Sequence, residues 1–533
     1  MAKDVFLYDT TLRDGEQAES ISFSAPDKIA IARRLDEFGF DYIEGGWPGS
    51  NPKAVDFFRD MRAVKLRHAK LAAFGSTRRK KSRAEDDPNL LALIDAHTPA
   101  VAIFGKTWDL HVLKALQTTL DENLAMIADS VRFLNKRGRE VVYDAEHFFD
   151  GFRANPDYAI QTLQAAAEAG AAILVLCDTN GGRMPHEIEA AMARVLRDLP
   201  GVPIGIHAHN DAGMGVANSC AAVRCGAVQV QGTINGFGER AGNADLIPII
   251  ANLELKYGKR CLARQSDLKQ LTALAHFIYE TANQTPDPRQ PYVGRCNFVH
   301  KGGIHVSAVE RLTATYEHVP PETVGNRRHV SVSEMAGKSN LMYKGREFNI
   351  DLSQADEEVK QLLRNVKEME NEGYQFEAAD ASVEVLLRKA LGKHKPAFET
   401  RGFRVISGRR GPGLPSVSEA IVKIAVNGQE RHTVAEGDGP VNALDLALRK
   451  ALKDFYPQLA DIRLTDFKVR VVNPKAGTAA KVRVLIESSD GESEWGTIGV
   501  SENIIEAAWL ALVDSIEYKL EKPRKAKARR RRQ

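Results

Sequence analysis

The chain has no run of about 18 uninterrupted apolar residues, the length a membrane-spanning helix needs. Its opening, MAKDVFLYDTTLRDG, is strand-like and has no apolar signal-peptide core. Cysteine is scarce as well. The five present, Cys177, Cys220, Cys225, Cys261 and Cys296, form no CxxC pair and no dense framework, which excludes a disulfide scaffold and points to reduced thiols. Charge of one sign is also lacking: the formal balance is only +3 over 533 residues, so neither nucleic acid nor a membrane surface is indicated as a partner. These absences lead to the expectation of a cytoplasmic enzyme acting on small molecules, anionic ones included.

At 533 residues, 43% hydrophobic and 27% charged, the chain exceeds what one core supports, so a large domain with at least one more is expected. Over the first 240 residues, short β-rich runs recur at intervals of roughly 26 to 39 residues, each followed by an amphipathic stretch. Eight are visible: DVFLYD from 4, DYIEGG from 41, AKLAAFG from 69, AVAIFGK from 100, REVVYDAEH from 139, AILVLCDT from 172, VPIGIHAH from 202 and VQVQGTING from 228. Several are continuously apolar, as strands buried on both faces are, and eight such units fit a (β/α)8 TIM barrel over 1–275. An open doubly wound sheet is the alternative. No GxGxxG follows the first run, and polar residues gather at the C-terminal end of strand after strand, both of which favour the barrel.

From 276 to 395 helical segments alternate with Gly- and Pro-containing loops, which reads as helical linker subdomains, and 354–372 is an amphipathic helix with a solvated face. Residues 396–520 contain an internal repeat. VSEAIVKIAVNG with RHTVAEGDGPVNALDLALRKAL parallels AKVRVLIESSDG with SEWGTIGVSENIIEAAWLALVDSI. Each reads strand, turn, strand, helix, so a separate α+β regulatory or dimerising domain is expected, followed by a basic, disordered tail over 521–533.

His207 and His209 in GIHAHND stand at i and i+2 of a strand, so both imidazoles face one side, and neutral imidazole is the usual transition-metal ligand. One histidine on a strand is more often structural; two on one face shift the reading to a metal. Two nitrogens need an anionic oxygen, and Asp14, in YDTTLRDGEQ after strand one, supplies it at the same barrel mouth. Arg13 sets a permanent cation beside it, suited to a carboxylate or a developing alkoxide, with a plain salt bridge as the alternative. Asp144 and Glu146 share one face of strand five, Glu44 ends strand two and Thr179 ends strand six. GFGERAGN after strand eight is a glycine-rich turn that brings the Asn243 carbonyl within reach of the metal; without the Lys and Ser/Thr of a Walker motif it is a poor phosphate loop. His305, in KGGIHVSAV, reads only as a loop residue.

The strings DTTLRDGEQ, CDTNG, HAHND, GFGERAGN and GGIH together resemble the 2-isopropylmalate, homocitrate and citramalate synthase family. Within it, YEHVPPETVGNRRHVSVSEMAGKSN, DAEHFFDG and VQGTINGFGERAGN most resemble the citramalate branch. The resemblance implies Claisen-type condensation of acetyl-CoA with a 2-oxo acid and water, pyruvate giving (R)-citramalate on a route to isoleucine. The alternatives are 2-oxoisovalerate in a 2-isopropylmalate synthase and 2-oxoglutarate in a homocitrate synthase. It further implies Asp14, His207 and His209 as ligands of a divalent ion (Mg2+, Mn2+, Co2+ or Zn2+), with Asn243 at its shell. Arg13 would stabilise the alkoxide and contact substrate, Glu146 would position the acetyl group and share in proton transfer, and Thr179 would bind the substrate carboxylate. His305 would be the base, with Tyr316 assisting. The C-terminal repeat would bind a branched-chain amino acid, isoleucine first and leucine second, and a homodimer follows because linker residues can serve the partner's site. The sequence departs from the family at Ala212, where related citramalate synthases often have Cys, and at Asp144, an extra carboxylate in the oxo-acid pocket. A lyase or carboxylase on the same barrel and a non-catalytic amino-acid sensor are the rival readings.

Overall fold

The computed structural model describes residues 3–409, 411, 413 and 415–522. Of the tail expected over 521–533, residues 523–533 lie outside the described residues. The chain divides into two compact units, Met1–Phe298 with Val319–Arg327, and Val299–His318 with Arg328–Gln533. Among the described residues, no helix is long and apolar enough to cross a membrane.

The first unit is a closed parallel barrel in sequence order: β1 (Phe6–Asp9), β2 (Tyr42–Glu44), β3 (Lys70–Ser76), β4 (Ala100–Lys106), β5 (Glu140–Glu146), β6 (Ile173–Asp178), β7 (Ile204–Ala208) and β8 (Gln229–Gly232). All eight expected strands form, and β1 closes on β8 through Tyr8 opposite Gln231. The continuous apolar runs are explained by two apolar faces. One set of alternate residues, including Tyr8, Tyr42, Phe74, Ala102, Val142 and Val175, fills the interior. The intervening set, including Leu7, Ile43, Val101, Tyr143, Leu176 and Ile206, packs with the helices. On β7 and β8 the inward alternation carries Gly205, His207, Gln229 and Gln231, so polarity enters the interior from that side. The helix Ala25–Phe38 begins with a Ser24 capping box, an arrangement contributing about 1 kcal/mol, and its first turn carries Lys28.

In the second unit a short parallel pair, β9 (Val299–His300) with β10 (His329–Val330), is joined by helices Gly303–Arg311, Lys338–Glu347, Asp356–Asn371 and Asp380–Ala390. Leu341, Leu352, Val359, Leu362, Val366 and Leu387 bury their apolar faces together. Two antiparallel three-stranded sheets follow: β11 (Glu399–Arg409), β12 (Ser416–Val426) and β13 (Gln429–Gly437), then β14 (Arg463–Val471), β15 (Val482–Ser489) and β16 (Glu494–Ser501). Each sheet is followed by a helix, Pro440–Leu452 or Ile504–Glu521. The repeat is therefore three strands and a helix, one strand more than the sequence reading gave. The added strands, β11 and β14, contain no fully buried residue, so they lack the apolar stripe that reveals a strand in sequence.

Candidate active site

The turn after β1 is held from several sides. Asp9 accepts hydrogen bonds from the Thr11 amide and hydroxyl at 3.0 and 2.7 Å, and the Ile234 amide donates to Thr11 Oγ1 at 2.9 Å, tying the turn to the end of β8. The buried Lys28 ammonium donates to the Leu12 carbonyl at 2.8 Å and pairs with Glu16 at 2.6 Å. Arg13 and Asp14 lie between those two anchors.

Asp14, His207 and His209 converge, all buried, with one ligand atom of each within 4.8 Å of the others. Asp14 Oδ2 lies 3.4 Å from His207 Nε2 and 3.9 Å from His209 Nε2, and the two Nε2 atoms are 3.3 Å apart. Burial opposes ionisation of Asp14, yet the Arg13 charge and the adjacent His207 imidazole hold its carboxyl far below the usual range. Burial also disfavours the His207 imidazolium, but Asp14 outweighs it and raises that pKa. His209, buried beside His207, is lowered to about 4. An ionised carboxylate and two imidazoles crowded at this spacing form a donor set that fits a divalent cation. A second trio, His329, Glu347 and Asp380, is more exposed; there the buried Lys344 ammonium already sits 3.0 Å from Glu347 and 2.8 Å from Asp380.

Asn243 adjoins the first trio through a backbone bridge to His209. Its Oδ1 is buried and without a hydrogen-bond partner among the described residues, an unmet acceptor that also suits a cation shell. The loop leaves no room for side chains: a Cβ on Gly238 (φ +153°) would sit 2.2 Å from Asn243 Nδ2, and one on Gly242 (φ +89°) 2.0 Å from the Gly236 carbonyl.

Arg13 is fixed on three sides. Its Nε donates to Glu44 at 2.6 Å, its Nη1 lies 3.2 Å from Asp14, and its guanidinium carbon stands 3.7 Å from the centre of the Phe74 ring. Tyr8 donates to the other Glu44 oxygen at 2.7 Å, so the buried Glu44 is fully paired. Asp144 is raised to about 7 by burial and by the nearby Glu44, and its Oδ1 accepts from Gln231 Nε2 at 3.1 Å. Glu146 is ion-paired with Lys106. Thr179 Oγ1 accepts from the His147 amide at 2.9 Å, and its carbonyl accepts from Arg240 at 2.7 Å.

The structure thus brings Arg13, Asp14, His207, His209 and Asn243 together at the ends of β1, β7 and β8, with Asp144, Glu146 and Thr179 at β5 and β6. His305 and Tyr316 belong to the second unit, both exposed, their rings stacked at 4.3 Å and 28°. Sequence reading passed over Lys28, Lys106 and Gln231. For Gln231 a signal existed, since VQVQG puts two glutamines on the inward face of a barrel strand.

Three family models match in succession: HMGL-like over residues 4–278, homocitrate synthase post-HMGL domain-like over 292–374, and LeuA allosteric (dimerisation) domain over 377–520. An (R)-citramalate synthase of Geobacter sulfurreducens is 56% identical over 97% of this chain and 98% of its own length. The (R)-citramalate synthase of Aquifex aeolicus is 54% identical over 98% and 99%. A probable 2-isopropylmalate synthase of Methanopyrus kandleri is 32% identical over 97% and 98%. With over half of its residues shared along nearly its whole length with those first two relatives, and a closed eight-stranded barrel ahead of a LeuA-type domain, the chain belongs to the (R)-citramalate synthase family.

Proposed function

We propose that this protein condenses acetyl-CoA with pyruvate and water to give (R)-citramalate and CoA, and that Asp14, His207 and His209 hold the divalent ion the reaction uses, with Asn243 at its shell. The convergence of those three side chains beside Arg13 carries the reading. When bound, the ion supplies Lewis-acid polarisation to the 2-oxo acid. Arg13, locked by Glu44 and Phe74, faces the keto oxygen as it gains negative charge and needs no reorganisation to stabilise it. Thr179, whose oxygen already accepts from a backbone amide, keeps its proton to donate to the substrate carboxylate. Asp144 lies at the oxo-acid pocket, where burial favours its neutral form and limits repulsion of an anionic substrate.

His305 removes a proton from the acetyl methyl group, and Tyr316 assists. The methyl carbon bonds to the keto carbon of pyruvate, the former keto oxygen takes up a proton, and water cleaves the thioester to a carboxylate and the CoA thiol. Glu146, paired with Lys106, positions the acetyl group and shares in proton transfer. We assign catalysis to 1–275, completion of the site to 276–395 and feedback control by a branched-chain amino acid, isoleucine first, to 396–520 of a homodimer. The match to a LeuA dimerisation domain supports the last assignment. CoA release measured over a panel of 2-oxo acids tests the whole: pyruvate is expected to give the highest specificity constant, and a higher value for 2-oxoisovalerate would overturn the assignment.

A further inference from the structure

We propose that Gln231 and Asp144 form a two-link brace that fixes the tautomer and orientation of His207 toward the cation, so that Asp144 serves the metal centre through Gln231. The inference rests on the metal site proposed above.

Strand register sets Gln231 opposite His207 on one side and Tyr8 on the other. The Gln231 side chain, fully buried, places Oε1 3.0 Å from His207 Nδ1, and its Nε2 3.1 Å from Asp144 Oδ1 and 3.5 Å from Gln229 Oε1. A primary amide has one accepting end and one donating end. In the structure the NH2 end of Gln231 turns to Asp144 Oδ1 and the carbonyl end to His207. A carbonyl only accepts. Nδ1 of His207 therefore carries the ring proton, and Nε2, the atom facing Asp14 and His209, presents its lone pair to the ion. His209 has no comparable brace: its Nδ1 is buried without a partner among the described residues.

The test is cation affinity of metal-stripped, full-length protein, measured for Mn2+ and Co2+ by competition with a chelating dye, alongside pyruvate kinetics. Gln231→Met is expected to weaken binding about 10- to 100-fold, the range for removing a partner of a metal-bound histidine. Asp144→Ala should weaken it too, whereas Asp144→Asn, which keeps an acceptor oxygen, should restore near-native affinity. Gln231→Met combined with Asp144→Ala should bind no more weakly than Gln231→Met alone. Native affinity in Gln231→Met would overturn the proposal, as would an Asp144→Ala protein in which only the KM for pyruvate changes. The Asp144 pair keeps the test decisive if Gln231→Met fails to fold. His207→Ala separates the two readings: if it too binds the cation normally, the metal site itself is misassigned.

Discussion

The barrel mouth and the His305–Tyr316 pair carry the two halves of the proposed chemistry and are built in opposite ways. At the mouth the charged groups are buried or half-buried, and the central ones are held by several partners: Arg13 by Glu44, Asp14 and Phe74, and Glu44 by Arg13 and Tyr8. The His305–Tyr316 pair is one stacked contact between exposed rings. The difference teaches where preorganisation resides. A buried charge persists only if its surroundings compensate it, so the mouth is fixed before substrate arrives, whereas an exposed ring owes its position to little beyond its neighbour.

The sharpest way to break that comparison is His207→Ala, which should abolish cation binding and lower kcat/KM by about 10⁴-fold or more, the several kcal/mol a Lewis acid supplies; cation titration and CoA release check it. His305→Gln should lower kcat by about 10³-fold with cation affinity unchanged, and a parallel fall in affinity would erase the distinction between the regions. Arg13→Lys keeps the charge but loses the fork to Glu44 and Asp14 and the stack on Phe74, so kcat should fall about 10²-fold with a smaller change in KM. Lys28→Met removes the anchor of the Leu12 carbonyl, leaves Glu16 with Lys53, and should cost about 1 to 3 kcal/mol in a denaturant titration. The smallest effect concerns the second unit, where burial and the hydrogen bond with Glu334 push Glu370 up to about 7. The folded state then holds a proton that the unfolded chain releases near its ordinary value of 4.5, so stability should decline as pH rises from about 4.5 through 7. Thermal unfolding at pH 6 and pH 8 should show that decline, and Glu370→Gln should flatten it.

The same contrast explains what could be read in advance. The eight barrel strands were legible because burial on both faces writes apolar runs into the sequence, and the convergence of the histidine pair because two histidines at i and i+2 share a strand face. Strands β11 and β14 were not, since their inward residues, Phe403, Val405 and Phe467 among them, are only partly buried and too few to write an apolar stripe. Lys28 reads as a helix surface residue until the fold closes over it, and Gln231, flagged by VQVQG as an inward polar residue, acquires its partner from register, which places it level with His207. Asp144 was visible as an anomaly, but its amide partner lies 87 positions away, beyond any local pattern.

The loop that carries Asn243 bears on how such enzymes diverge. At Gly238 and Gly242 the first atom of any side chain would overlap the loop's own atoms, at 2.2 and 2.0 Å, and both backbones hold positive φ. Such positions admit no gradual mutational drift. Any substitution there must be accompanied by a rebuilt loop, so sequence change is expected in the walls around the Asp14, His207 and His209 cluster before it reaches this corner.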